Sequence, residues 1–416
     1  MLVTVIIFLL FLFYLLIETK KAIIISYPFS LLFTTLPLFS FDKTHIGLSF
    51  SIFISVIIAS FGNFYLLKKN PFFPPIILIL LGILLSWYFG EDRSSVYVVF
   101  SSIITTVVPL FIYPYLRTPN DVKLFIKSFI IVISLAVLYS IVEFINGRNI
   151  WMYWLQNQTN ATIFHDHIND IRFGYGRCNS FFDFPIPFGD VCAMMFCFIL
   201  FYYNSYINPI YSRFHLSIIM VLMVVGLFLS NSRAPLLAIA IGILHYPVFR
   251  NKKTLFIASA FILFLFLFAY DSIVHVYDSM VGENGQEFSG STTNLRINQY
   301  MICLDAFNRN PIFGGGFNAF DRLHEMAGTS QLMGAESILF VLMVTQGLAG
   351  LLPYFFSHVY VVWKFPKGTR LFPLTFSLAW LAASLASLTT GVTLTFPILL
   401  LLAVYRSYEL GMIKSK

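Results

Sequence analysis

Charge is scarce in this chain. Asp, Glu, Lys and Arg together make up only 11% of its 416 residues. The net charge of +7 gives no reason to expect a nucleic-acid partner, because membrane topology accounts for where the charges lie. Cysteine is scarcer still. Cys178, Cys192, Cys197 and Cys303 define no disulfide framework. Cys192 and Cys197 fall in an apolar helix as packing, and nothing favours pairing the two loop cysteines, Cys178 and Cys303. Short alternating segments are missing, which excludes a β-barrel. No internal repeat is present. The first apolar run, Leu2–Ile17, lacks a basic n-region and a small-residue cleavage site, so it is read as a helix and not a signal peptide. His165-Asp166-His167 lacks a third ligand at fixed spacing, so neither a metal site nor another cofactor is expected.

Apolar residues fill the space that charge leaves, at 58% of the chain. Apolar runs recur from Leu2 to Leu402, and a bilayer core needs roughly 20 such residues per helix. The fold class is therefore all-α: a polytopic integral membrane protein with about 12–14 transmembrane helices. Helices are expected near 2–17, 22–40, 48–67, 75–90, 96–116, 124–145, 185–206, 214–230, 234–249, 254–270, 335–363, 371–389 and 393–408. Five regions follow: N-terminal transmembrane helices (1–145), a first long loop (146–184), central helices (185–270), a second long loop (271–334) and C-terminal helices (335–416).

Basic residues in short loops set the orientation. Lys20, Lys21, Lys68, Lys69, Arg117, Lys123, Arg213, Arg250, Lys252, Lys253, Lys364, Lys367 and Arg370 follow alternate helices and are assigned to the cytoplasmic side, with Arg406, Lys414 and Lys416. Both long loops then face outward. The outward cations are Lys43, Arg93, Arg148, Arg172, Arg177, Arg233, Arg296, Arg309 and Arg322, all but one arginine. Orientation does not demand arginine, whereas bidentate recognition of phosphate does favour it. Pairing with outward acids such as Asp166, Asp170 and Glu283 competes with that reading for any single arginine.

Several of these arginines stand in suggestive surroundings. Ser230-Asn231-Ser232-Arg233 separates two apolar helices with almost no loop. A snorkelling anchor explains Arg233. An anion at a helix N-terminus explains it too, and positive anchors belong on the other side. Thr292-Thr293-Asn294-Leu295-Arg296 reads as a helix start, with Gln299 and Tyr300 one turn on, so the face of Arg296 is expected to be polar. Asp305 lies further along. That helix stops at Asn310-Pro311, and Gly314-Gly315-Gly316 follows, a run that permits close backbone approach and is most often just a turn. In the first long loop, Arg172-Phe173-Gly174-Tyr175-Gly176-Arg177 suits a flexible clamp or a plain loop equally.

Ala335-Glu336-Ser337 leads from the polar 271–334 stretch into a hydrophobic helix. A carboxylate at a membrane edge is expensive and therefore a functional candidate. Glu336 reads either as an ordinary first-turn glutamate or as a general base. His324 and Glu325, upstream in the same loop, are reserve candidates.

In order, Arg172-Phe173-Gly174, Asn231-Ser232-Arg233-Ala234, Leu295-Arg296, Asn310-Pro311-Ile312-Phe313-Gly314, and Glu336 ahead of Gly347-Leu348-Ala349-Gly350 resemble the O-antigen ligase/polymerase superfamily. These are bacterial membrane glycosyltransferases. The resemblance spans about Arg172 to Gly350; the N-terminal third matches only in being hydrophobic. Ligases usually carry histidine and asparagine where this chain has Glu336-Ser337, so the resemblance leans toward a Wzy-type polymerase. It implies a GT-C-like enzyme in the bacterial inner membrane with its active site facing the periplasm. The implied donor and acceptor are glycans on undecaprenyl diphosphate, with membrane lipid, a chain-length regulator and a flippase as partners. Arg233, Arg296, Arg172 and Arg177 would hold the diphosphate, Glu336 would be the base, and His324, Glu325, Asp305 and Tyr300 would be accessory. A ligase acting on lipid A-core is the alternative within the family. A transporter is the alternative outside it, and interrupted helices, its usual mark, are not apparent in the sequence.

Overall fold

A computed structural model describes residues 2–34, 36–41, 44–91, 96–159, 171–172, 175–232, 234–246, 293–327, 337–386 and 395–414. Pro119 at the first position, with Thr118 and Asp121 forming a reciprocal capping box, starts a helix that runs to Asn146. Gly147 ends it in the left-handed conformation (φ 67°). Ser212 likewise caps Arg213–Ser230. With Val96–Tyr115, Pro185–Ser205 and Ile338–Lys364 these make five described helices long and apolar enough to cross a membrane; Val3–Ile17, Phe73–Phe89 and Leu371–Leu385 are shorter apolar helices. The protein is an all-α polytopic membrane protein. The expected helix at 254–270 lies outside the described residues.

In chain order the helices are α1 Leu2–Ile17, α2 Thr19–Leu31, α3 Leu48–Ala59, α4 Phe73–Phe89, α5 Val96–Ile112, α6 Pro119–Asn146, α7 Ile150–Thr159, α8 Pro185–Ser205, α9 Arg213–Ser230, α10 Ala234–Gly242, α11 Thr293–Arg309, α12 Ala319–Ala327, α13 Ile338–Lys364, α14 Leu371–Ala386 and α15 Phe396–Glu409. Two small antiparallel hairpins interrupt them: β1 Pro37–Phe41 with β2 Thr44–Gly47, and β3 Ile171–Arg172 with β4 Tyr175–Gly176.

Two expected spans differ. The apolar run 22–40 is helical only to Leu31 and then enters the first hairpin. β-branched Thr34 and Thr35 precede Pro37, which cannot donate to a continuing helix. The run 48–67 bends by 90° after Ala59, into a 3-10 helix at Phe61–Lys69.

The main core joins α2, α6, α8, α9 and α15 through Tyr27, Phe129, Phe198, Tyr202, Met223 and Phe396, all fully buried. At one end of this bundle Lys20 pairs with Asp121 (2.6 Å), Arg406 donates to the Leu116 carbonyl (2.7 Å), and the Lys414 amide donates to Ser205 (3.0 Å). Arg117 lies at this same end, donating to Pro114. Arg177 and the α6 terminus at Asn146 lie at the other. The cations Lys20, Arg117, Arg406 and Lys414 thus share one end, as the loop charges imply.

Candidate functional site

The chain between β4 and α8 is tied down by a carboxylate buried in α6. Glu143 is 4% exposed and accepts the amides of Asn179 (3.2 Å) and Ser180 (2.8 Å). Asn149 donates to the Asn179 side chain and the Ser180 carbonyl, and accepts from the Tyr139 hydroxyl. The Cys178 amide donates to Leu229 (2.9 Å), so this segment is stitched to the tip of α9. Glu143→Leu is expected to strand two buried amides and lower stability by about 3 kcal/mol. Glu143→Gln keeps one acceptor and should lose about half as much. Thermal unfolding followed by size-exclusion chromatography reads both; a wild-type midpoint for Glu143→Leu would refute the pinning role.

That stitching aims Arg177 at α9. Its guanidinium is 9% exposed and donates to the Ser230 carbonyl (3.3 Å) and the Ser232 hydroxyl (2.8 Å). Asn231 takes the left-handed conformation (φ 48°) that turns the chain between α9 and α10. The residue between Ser232 and the first residue of α10 is Arg233, which itself lies outside the described residues. Gly189 of α8 packs against this tip, where an added Cβ would stand 2.5 Å from the Ser230 hydroxyl. The next residue, Asp190, is fully buried.

The largest departure from the sequence reading is in α13. Gly347 (φ 58°, ψ −150°) breaks it. The Ser337 hydroxyl donates to the Ser384 carbonyl (3.2 Å), and the Tyr354 hydroxyl donates to the Ser384 hydroxyl (3.1 Å). Ser337 and Tyr354 are far apart in sequence and would stand about 25 Å apart on a straight helix. The two halves therefore fold back at Gly347, and Ile338 and Leu339 join Tyr354 in one apolar cluster. The expected uninterrupted helix at 335–363 is corrected to two packed half-helices. Ser337 is the N-cap, accepting from the Leu339 amide, and Ile338 is the first helical residue. Glu336 lies outside the described residues. Its neighbour Ser337 is 2% exposed, deep against α14, not at a lipid-facing rim.

A segment of the second long loop fills the break. The Gly315 and Gly316 amides donate to the Val344 (2.8 Å) and Thr345 (3.1 Å) carbonyls. The Leu348 and Ala349 amides donate to the Pro311 and Ile312 carbonyls, both at 2.8 Å. From α4, the Ser86 hydroxyl donates to the Gln346 carbonyl (3.0 Å). The backbone groups that the break frees are thus satisfied, as a low-dielectric setting requires. The glycine run is used for close packing and not as a phosphate cradle, because the amides of Gly314, Gly315 and Gly316 all donate within the protein.

The same segment joins α11 to α12, and both pack on the first half of α13. Tyr300 lies 5.4 Å from Phe340, ring to ring, and Cys303, Phe320 and Val344 share a cluster with Leu323 and Val341. The helix expected from Thr292–Arg296 to Asn310 within the second long loop is α11, and with α12 it forms a helical hairpin built onto a broken helix. Gln299, expected on a polar face with Arg296, is 1% exposed. The backbone of Arg296 belongs to α11, and its side chain lies outside what is described. Arg172 pairs with Tyr175 in the β3–β4 hairpin. Asp305 and Glu325 are exposed, and His324 is half-buried with its Nδ1 enclosed. Partial burial and the neighbouring Glu325 hold the Asp321 carboxyl above the usual carboxylate range, partly offset by His324. His165, Asp166 and His167 lie outside the described residues. Cys178 and Cys303 are both buried free thiols.

Two buried polar clusters result: Arg177 with Ser230 and Ser232 at the α9 tip, and Ser337 and Tyr354 on Ser384 of α14. The chain neighbours of Arg233 and Glu336, distant in sequence, belong one to each. Asp190, Tyr354, Ser384 and Glu143 are not legible as site residues from the sequence. A buried acid inside an apolar helix was the available signal for two of them.

Residues 218–355 match a family model described as O-antigen ligase (Wzy_C). The matched region takes in Arg233, Arg296 and Glu336, the α11–α12 hairpin and the break at Gly347; Arg172 and Arg177 lie before it. It supports assignment to the O-antigen ligase/polymerase superfamily. No curated protein matches the chain.

Proposed function

We propose that this member of the O-antigen ligase/polymerase superfamily is a GT-C-like glycosyltransferase that polymerises glycan repeat units carried on undecaprenyl diphosphate. We assign it to the bacterial inner membrane, with the Arg177 end facing the periplasm, from the segregation of lysine and arginine. The observation that carries the reading is that Ser232 and Ser337, the flanks of an arginine and a glutamate, are both buried and hydrogen-bonded inside the family-matched region.

In this reading a sugar hydroxyl of the acceptor attacks the anomeric carbon of the donor. The carbon–oxygen bond to the diphosphate breaks, and the leaving group keeps the electron pair. Arg233 and Arg296, assisted by Arg172 or Arg177, neutralise the diphosphate. Glu336 takes the hydroxyl proton. A single displacement of this kind inverts the anomeric centre. Two of the Arg177 donors serve Ser230 and Ser232, which makes its support of the α9 tip part of its role. His324, Glu325, Asp305 and Tyr300 are kept as accessory. A chain-length regulator and a flippase are the expected protein partners.

Arg233→Lys and Arg296→Lys keep the charge and lose the planar fork, and each is expected to slow transfer by about tenfold or more. Glycan ladders at matched protein level check this, and full activity in both variants would remove the arginine clamp.

The ligase reading has the family description in its favour. A deletion strain separates the two. Loss of a polymerase leaves core plus one repeat, whereas loss of a ligase leaves bare core and accumulates lipid-linked polymer. The interrupted helix at Gly347 gives the transporter reading a feature not apparent in the sequence. A new glycosidic bond made by the purified protein decides against it.

A further inference from the structure

Gln299 is the most isolated polar group in the hairpin. Its side chain is 1% exposed, and neither its amide nitrogen nor its amide oxygen has a hydrogen-bond partner among the described residues. Burying a carboxamide with both ends unsatisfied is costly, and native proteins rarely tolerate it without a reason. Gln299 lies one turn before Cys303 on the α11 face that packs on Val344. Its neighbour Tyr300 lies beside Phe340, one turn from the Ser337 cap, and keeps its ring 44% exposed. On α12, His324 follows Leu323, which packs on the same cluster, and its Nδ1 is also enclosed without a partner among the described residues. Two orphaned groups thus belong to the hairpin that flanks the start of α13.

We propose that Gln299, with His324 and the Tyr300 ring, forms a sugar-binding subsite on the α11–α12 hairpin beside the start of α13. This rests on the glycosyltransferase reading above and adds to it the groups that recognise the glycan. The chemistry of the orphans selects the ligand. A carboxamide presents one acceptor beside two donors, and its complement is a group with a donor and an acceptor side by side. A vicinal pair of sugar hydroxyls or an acetamido group meets that requirement. A phosphate does not, because it accepts only and would leave the Gln299 oxygen unsatisfied. The exposed Tyr300 ring offers an apolar face for the sugar ring. A subsite that hydrogen-bonds its substrate also discriminates strongly against sugars lacking the matching group.

The test uses the purified full-length chain in lipid nanodiscs and the lipid-linked repeat unit isolated from its own host. Gln299→Met keeps the volume and removes both polar ends. The expected result is a KM raised by about tenfold or more with kcat within about threefold, and an unfolding midpoint without substrate that is unchanged or higher. An unchanged KM with a lowered midpoint would overturn the subsite, since the amide would then be served by internal water. If the wild type makes no product, the glycosyltransferase reading falls, and the subsite is judged by binding alone. Protection of the wild type by the lipid-linked unit, lost in Gln299→Met, sustains it. Equal protection of both, or protection of neither, overturns it.

Discussion

Gly347→Ala is expected to lose about 3 kcal/mol or more of stability, a large fraction of what holds a protein folded. Two causes act together. The backbone there (φ 58°, ψ −150°) is a region that side-chain-bearing residues rarely adopt. An added Cβ would also stand 2.7 Å from the Gly314 nitrogen and 2.7 Å from the Pro311 oxygen, and both belong to backbone that cannot swing away. Relief would require withdrawing the Pro311–Gly316 segment, and that would strand the Leu348 and Ala349 amides. Gly62→Ala is the control, since nothing lies within 4 Å of its added Cβ. Detergent-solubilised protein followed by fluorescence size exclusion reads the difference. A monodisperse peak for Gly347→Ala at wild-type yield and midpoint would show that the fold-back is not what holds the hairpin.

Glu336→Gln is expected to leave the protein level unchanged and reduce transfer by about a hundredfold or more. The substitution preserves size and polarity and removes the proton acceptor. Ser337, the next residue, is fixed by Ser384 and caps the helix through its side chain, so the local backbone is held independently of the glutamate. Protein level and activity should therefore separate. Gly347→Ala, by contrast, should lower both. A normal long-chain ladder in Glu336→Gln at normal protein level would remove Glu336 as the base.

Local signals made much of the bundle legible in the sequence. Apolar length located α8 and α9 closely, with Pro185 introducing α8, whereas α6, expected at 124–145, starts at Pro119 because its capped first turn is polar. The fold-back was not legible in the same way. Gly347 follows Thr345-Gln346 in an otherwise apolar stretch that also holds Gly350, and glycines in such a stretch are usually tolerated in a helix. What it does depends on Gly314–Gly316 docking onto Val344 and Thr345, a contact that no local pattern encodes. Gln299 misled for a related reason. Its polar neighbours suggested a solvated face, whereas packing of α11 on α13 encloses it. Arg177 stands out in the sequence as one of two arginines in a glycine-rich loop, but its acceptors on α9 follow from Glu143 and Asn149 pinning the preceding loop.

The most direct test of polymerisation is incubation of the purified chain in nanodiscs with a single lipid-linked repeat unit and no lipid A-core. The expected result is a ladder of lipid-linked products, each longer by one repeat, that Glu336→Gln abolishes. No ladder from folded wild-type protein, or a product only once lipid A-core is added, would contradict it.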